Sequence, residues 1–329
     1  MSKTALLISG GGVRSAFTVG VLKYLHEKRP DIQFDMLVGT GTGSLIVLLN
    51  ALKETDLLEK FYTSLNTADI INTGNPIQRF TNNNSLYNTT PLKHKINSII
   101  TEARFKSFME TDKAVFIAGR CLQTKRTTFF SNKQTVTPDK DYDVVQLSGT
   151  SALREAVAAS FSQPVFMSPV EVTAASTEPL QFMDGGGPSY TPIQLAIDNG
   201  ATDIYVVLLT PEIPEANNFL FKRVIDSLER TTDWATSDIA LHDIRIPQLY
   251  NKALHYLDAV KDNMKAAGIS PADIDQYFET PDANPFKGKV NLNIHVIRPE
   301  RPLGSTMGGM EFNPRNMKAM VEAGLQIKL

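Results

Sequence analysis

Leu37-Val38-Gly39-Thr40-Gly41-Thr42-Gly43-Ser44-Leu45 joins two apolar segments through three glycines placed at alternate positions. The segment before it, Phe34 to Val38, reads as a buried strand. The segment after it, Ser44 to Lys53, reads as a mostly apolar helix buried on several sides. Strand, tight glycine turn and helix start make the frame of a nucleophile elbow, G-x-S-x-G, which holds a serine exposed at the turn. Here Gly39, Thr40, Gly41, Thr42 and Gly43 fill that pattern, and its centre is Gly41. The frame is present and the attacking hydroxyl is not. Thr40, Thr42 and Ser44 are neighbouring hydroxyls, but each is expected to point away from the elbow position.

Outward from the elbow, the chain alternates strand and helix. Ala5 to Ser9 is a short apolar run closed by glycines, as a buried parallel strand should be. Ala16 to Lys28 has helical spacing, with Phe17, Val21, Leu22 and Leu25 on one face. Ala114 to Leu122 and Thr127 to Phe130 read as strands, Ser151 to Ser160 as helix, and Pro164 to Val172 and Leu180 to Met183 as extended. Ile193 to Asp198 reads as helix, Ile204 to Leu209 as strand and Asn217 to about Ala267 as amphipathic helix. Lys289 to Arg298 is a late strand. Asn316 to Ala323 is a closing helix, with Gly324 as its stop. The alternation predicts an α/β fold of three α/β/α layers on a mainly parallel sheet. The polar segment Thr67 to Thr90 is a candidate lid or cap edge, with a plain surface loop as the alternative.

Bulk properties exclude little. The chain has 329 residues and a net charge of -2, so its charge does not point to nucleic acid. The single cysteine, Cys121, cannot form an intramolecular disulfide, which favours a reducing compartment. No apolar run reaches the ~18 residues of a spanning helix. The opening apolar run is too short for a signal peptide and enters a glycine loop, so the expected location is cytoplasmic.

Two further segments carry chemistry. Ser9-Gly10-Gly11-Gly12-Val13-Arg14-Ser15 sits at the first strand-to-helix turn, where glycine N–H groups and a helix start can meet an anion. That anion could be a phosphate or a transient oxyanion, and glycines kept only for packing are the alternative. Phe182-Met183-Asp184-Gly185-Gly186-Gly187-Pro188-Ser189-Tyr190-Thr191-Pro192 places an aspartate at a strand end with open space beside it. Asp184 is either an ordinary turn aspartate or a general base.

Together these motifs resemble the patatin-like phospholipase family. The resemblance rests on Gly10-Gly11-Gly12-Val13-Arg14, the elbow with Gly41 where the family has serine, and Asp184-Gly185-Gly186 followed by Thr191-Pro192. Ser15 stands where the family usually has glycine. Residues Ala152 to Val170 also look like the stretch that precedes the family's base strand. The likeness covers Lys3 to about Leu209 well. It implies one patatin-like domain over 1–329 with a helical insertion at about 215–286.

The family pattern also implies roles. Amides around Gly10, Gly11 and Gly12 would hold the oxyanion, and Arg14 would order that loop or meet a phosphate. Asp184 would act as base toward the elbow hydroxyl in a Ser-Asp dyad. None of His26, His94, His242, His255 and His295 sits in a glycine-rich loop, which agrees with a dyad lacking histidine. No cofactor or metal is implied. The implied reaction is hydrolysis of lipid acyl esters, reduced to weak residual activity at most by Gly41. A natural pseudoenzyme that binds acyl lipids without turnover is the alternative.

Other readings fit less well. A dinucleotide site wants one more glycine and an acidic residue at the end of the second strand, where Asp35 is at the beginning. A P-loop wants a lysine before Gly43-Ser44. In the insertion, Phe219, Leu220, Phe221, Val224, Ile225 and Leu228 lie beside Lys222 and Arg223. They would suit a membrane surface, and packing against the core is the alternative.

Overall fold

The computed structural model describes residues 2–329 except 73, 75–83, 135–140, 177, 187–190, 214–219, 280–283, 287 and 305–308. In chain order the strands are β1 (Lys3–Ile8), β2 (Met36–Gly39), β3 (Ala114–Cys121), β4 (Thr127–Ser131), β5 (Tyr142–Gln146), β6 (Val170–Glu171), β7 (Gln181–Asp184), β8 (Ala201–Val207) and β9 (Asn293–Ile297). The α-helices are α1 (Ala16–Lys28), α2 (Gly43–Ala51), α3 (Thr55–Ser64), α4 (Thr67–Ile70), α5 (Thr90–Ile99), α6 (Glu102–Glu110), α7 (Thr150–Phe161), α8 (Ile193–Asp198), α9 (Val224–Ala266), α10 (Pro271–Phe278) and α11 (Pro314–Leu325).

The strands form one sheet in the order β5-β4-β3-β2-β1-β8-β9, with β7 paired to β3 and β6. Every pair from β3 through β2, β1 and β8 to β9 is parallel. Central β1 explains its own apolar run: Ala5 to Ile8 are fully covered, because helices lie on both faces. One core cluster packs α1, α2, α7 and α11 on one face of the sheet. A second packs α8 with Ala240 and Ile244 of α9 on the other. The mainly parallel, three-layer α/β/α arrangement expected from the sequence is the one found.

Two bounds shift: the helix expected from Asn217 begins at Val224, and the strand expected over Lys289 to Arg298 spans Asn293–Ile297. Two further expectations fail for identifiable reasons. The segment Pro164 to Val172 is extended only at Val170–Glu171, and residues 164–166 form a turn. Pro164 and Pro169 lack the N–H groups a ladder needs, and Val165 turns through a φ of 72°. Gly324 does not stop the last helix but lies inside α11, packed against α1.

Helix α9 is continuous from Val224 to Ala266 and contains Pro247. Leu220, Phe221 and Val224 are exposed, and Leu228 packs against the core. Phe219 lies outside the described residues, as do 73 and 75–83 of the expected lid and Gly187 to Tyr190 beyond Asp184. Among the described residues no helix is long and apolar enough to cross a membrane.

Candidate active site

The elbow is built by close packing. A Cβ on Gly39 would lie 2.5 Å from the Gly43 carbonyl oxygen, so the turn closes only without side chains there. Gly41 sits at the apex with a φ of +54°, the left-handed region that L-residues occupy only under strain. Its carbonyl accepts from Ser44 N–H at 3.1 Å, Ser44 Oγ at 2.7 Å and Ser160 Oγ at 3.3 Å.

Sheet register brings Asp184 to the same point. β2 ends at Gly39 opposite Ile117 of β3, while Asp184, at the end of antiparallel β7, lies opposite Gly119. Strands β2 and β7 therefore meet the same edge of β3 nearly end to end, with the elbow between them. A Cβ at position 41 would lie 3.1 Å from Asp184 Oδ2 and 3.0 Å from Gly10 Cα. The carboxylate accepts from the Gly186 N–H at 3.0 Å and also from the Gly41 N–H. Burial pushes the Asp184 carboxyl up to about 6, and those two N–H donors only partly oppose it.

That shift carries a stability consequence. The folded value lies above the ordinary 3.8, so the native state holds this proton more tightly than the unfolded chain does. Stability from this group is full below the unfolded value and is lost as pH rises through about 6. Asp184→Asn, which cannot ionise, is expected to melt above the parent at pH 8, with the advantage gone at pH 3.5. Melting curves at the two pH values check this, and an offset independent of pH would contradict it.

The glycine loop is tied to the elbow through hydroxyls. Gly10 N–H donates to Thr40 Oγ1 and Gly11 N–H to Thr42 Oγ1, each at 3.2 Å. Thr42 Oγ1 also bonds Ser15 Oγ, and the Tyr62 hydroxyl donates to the Thr42 carbonyl at 3.1 Å. Ser15, at the family's usual glycine position, is thus part of the lock between loop and elbow. Thr40, Thr42 and Ser44 are all buried and bonded within the fold. The Gly12 amide has no acceptor among the described residues.

Arg14 turns toward α9. Its guanidinium makes a two-pronged pair with Asp233, at 3.0 Å from Nη1 and 2.9 Å from Nη2. The loop is also held from the far end of the chain, by Val13 N–H donating to the Gly309 carbonyl at 2.7 Å. Asp233, Ser160 and the 309–312 segment carry no local sequence signal, because each reaches the site only through tertiary folding.

These parts surround a cavity of about 480 Å³. Gly10, Gly11, Gly12, Arg14, Thr42 and Asp184 line one side. Phe161, Met167, Met183, Leu209, Met310 and Phe312 give it an apolar wall, and Thr232, Thr236 and Ile239 of α9 close another side. Its size is that of a small-molecule or single acyl-group pocket. Among the described residues no His, Cys, Asp and Glu cluster could hold a metal ion.

The sequence profile of the patatin-like phospholipase family matches residues 6–197, which include the glycine loop, the elbow and Asp184. The chain belongs to this family. The matched stretch ends within α8, so β8, α9, β9 and α11 lie beyond it. No curated protein matches the chain. Among solved structures it is similar to VipD from Legionella pneumophila at 10% identity and a TM-score of 0.35, over 98% of this chain and 67% of that one. At that distance the family assignment rests on the profile match. Patatin-like phospholipases act on lipid esters, and this member has Gly41 at the elbow.

Proposed function

We propose that this chain holds acyl-ester lipids in the cavity beside Gly41 and, as written, turns them over very slowly at most. The observation that carries the proposal is the 3.1 Å between a Cβ at position 41 and Asp184 Oδ2. A serine there would present its hydroxyl to a carboxylate poised to take the proton. In that reading Asp184 is the general base, and the Gly12 amide is the main-chain donor left for an oxyanion. Arg14 orders the loop through Asp233 instead of meeting a phosphate. Without the hydroxyl no acyl-enzyme can form, and Asp184 has only water to activate. The exposed Leu220, Phe221 and Val224 beside Lys222 and Arg223 support peripheral contact with a lipid surface.

A second reading is a natural pseudoenzyme that binds acyl lipids without turnover. It is favoured by the Gly10 and Gly11 amides, which are already engaged by Thr40 and Thr42. Hydrolysis of a short-chain p-nitrophenyl ester by Gly41→Ser, measured beside lipid binding by the parent, separates the two. Restored hydrolysis supports the disabled hydrolase. Lipid binding with a folded but inert serine variant supports the binder. Failure of both binding and hydrolysis refutes the site.

A further inference from the structure

The cavity contains two arginines, and they differ in one respect. Arg14 is neutralised by Asp233. Arg120, on β3 one position after the partner of Asp184, has no carboxylate within ion-pair distance among the described residues. Among the described residues its one side-chain bond is donation from Nη1 to Thr127 Oγ1 at 3.1 Å. Strand alternation puts Arg120 on the face of Phe116 and Ala118, the face over which Leu208 and Ala240 line the cavity. The Arg120 residue is only partly covered, and the loss of part of its water pulls its proton affinity below that of a free arginine. A cation that loses hydration without a counter-charge is costly to keep, and a planar five-donor group is suited to an oxyanion. Gln163 and Ser237 also line the cavity, with no side-chain acceptor or donor taken among the described residues.

Resting on the reading that the cavity holds acyl lipid, we propose that Arg120 is its anion-binding residue and that the lipid it takes carries a phosphate-bearing head group. The acyl ester would lie toward Gly41 and Asp184, with the phosphate toward Arg120. An arginine that binds its ligand's charge is a specificity residue, so its removal should weaken one lipid and spare its neutral counterpart.

Calorimetric titration of the full chain with dihexanoyl phosphatidate and with dihexanoylglycerol, both below their aggregation limits, tests this. The parent should bind phosphatidate more tightly. Arg120→Gln should weaken phosphatidate by about tenfold or more, as expected for loss of charge-assisted hydrogen bonds, and leave dihexanoylglycerol unchanged. Arg120→Lys should fall between them and keeps the test open should the glutamine variant fold poorly. Equal weakening of both lipids, or no weakening, overturns the proposal. Inorganic phosphate binding as tightly as phosphatidate would make this a free-phosphate site and overturn the lipid source. Binding of the neutral lipid with no phosphate preference overturns this inference alone. Absence of binding by either lipid overturns the acyl-lipid reading and this inference with it.

Discussion

Gly41→Ser is expected to hydrolyse short-chain p-nitrophenyl esters about a thousandfold or more faster than the parent, the scale on which one member of a nucleophilic unit matters. The added Cβ would lie 3.1 Å from Asp184 Oδ2 and 3.0 Å from Gly10 Cα, so the neighbours must yield by a few tenths of an ångström. Serine would also adopt the +54° φ now held by glycine, at a cost of about 1–3 kcal/mol. The variant should therefore melt below the parent while gaining activity, a pairing that general stabilisation would not give. Asp184→Ala in the serine background should remove the gain, because the hydroxyl then has no base within reach. The rate should rise with pH through about 6, since the carboxylate must lose its proton before it can accept one from serine. A folded serine variant as inert as its parent would contradict the dyad reading. Equal rates with and without Asp184 would contradict the base assignment.

The parts of this site that could be read from sequence are those whose signal is local. Gly10 to Gly12, the elbow and Asp184-Gly185-Gly186 each lie where a strand ends and show in the sequence as local glycine clusters, although the obstacles to a side chain at Gly10, Gly11, Gly12 and Gly185 are the distant Gly41, Leu209, Gly309 and Ala118. The sheet pairing that brings them together was foreseeable only as a parallel α/β pattern. The end-to-end meeting of β2 and β7 on β3 depends on register, which no single segment encodes. Arg14 shows the limit clearly. Its motif suggested a role at the loop, but its partner, Asp233, lies 219 positions away on a helix beyond the family match. Strand β5 leaves little trace in the sequence because Tyr142-Asp143-Val144-Val145-Gln146 mixes polar and apolar residues without alternation. Gly324 has the opposite character: a glycine near a helix end resembles a stop, and only the packed partner reveals it as a contact.

That contact makes Gly324→Ala strongly destabilising for the addition of a single methyl. Helices α1 and α11 meet backbone to backbone at Gly20 and Gly324. A Cβ on Gly324 would lie 2.1 Å from the Phe17 carbonyl oxygen and 2.9 Å from Gly20 Cα, and one on Gly20 would lie 2.0 Å from the Val321 carbonyl oxygen. Neither obstacle is the tip of a flexible side chain, so the helices themselves must separate. Phe17, Val21, Met317, Met320 and Val321 around the crossing are buried, and separation would open gaps between them. The expected loss is on the order of 3 kcal/mol, the upper part of the overpacking range. Chemical denaturation measures it, with Gly304→Ala as the control, since a Cβ at 304 meets nothing within 4 Å and should change stability by less than about 0.5 kcal/mol. The effect should reach the cavity as well. The segment before α11 supplies Met310 and Phe312 to the cavity wall, and its Gly309 carbonyl accepts from Val13 in the glycine loop. In the serine background, Gly324→Ala should therefore lower ester hydrolysis even at temperatures where the protein remains folded. Gly324→Ala with the parent's stability would mean that the two helices do not touch through their backbones. Lost stability with full activity would mean that the C-terminal segment walls the cavity without shaping it.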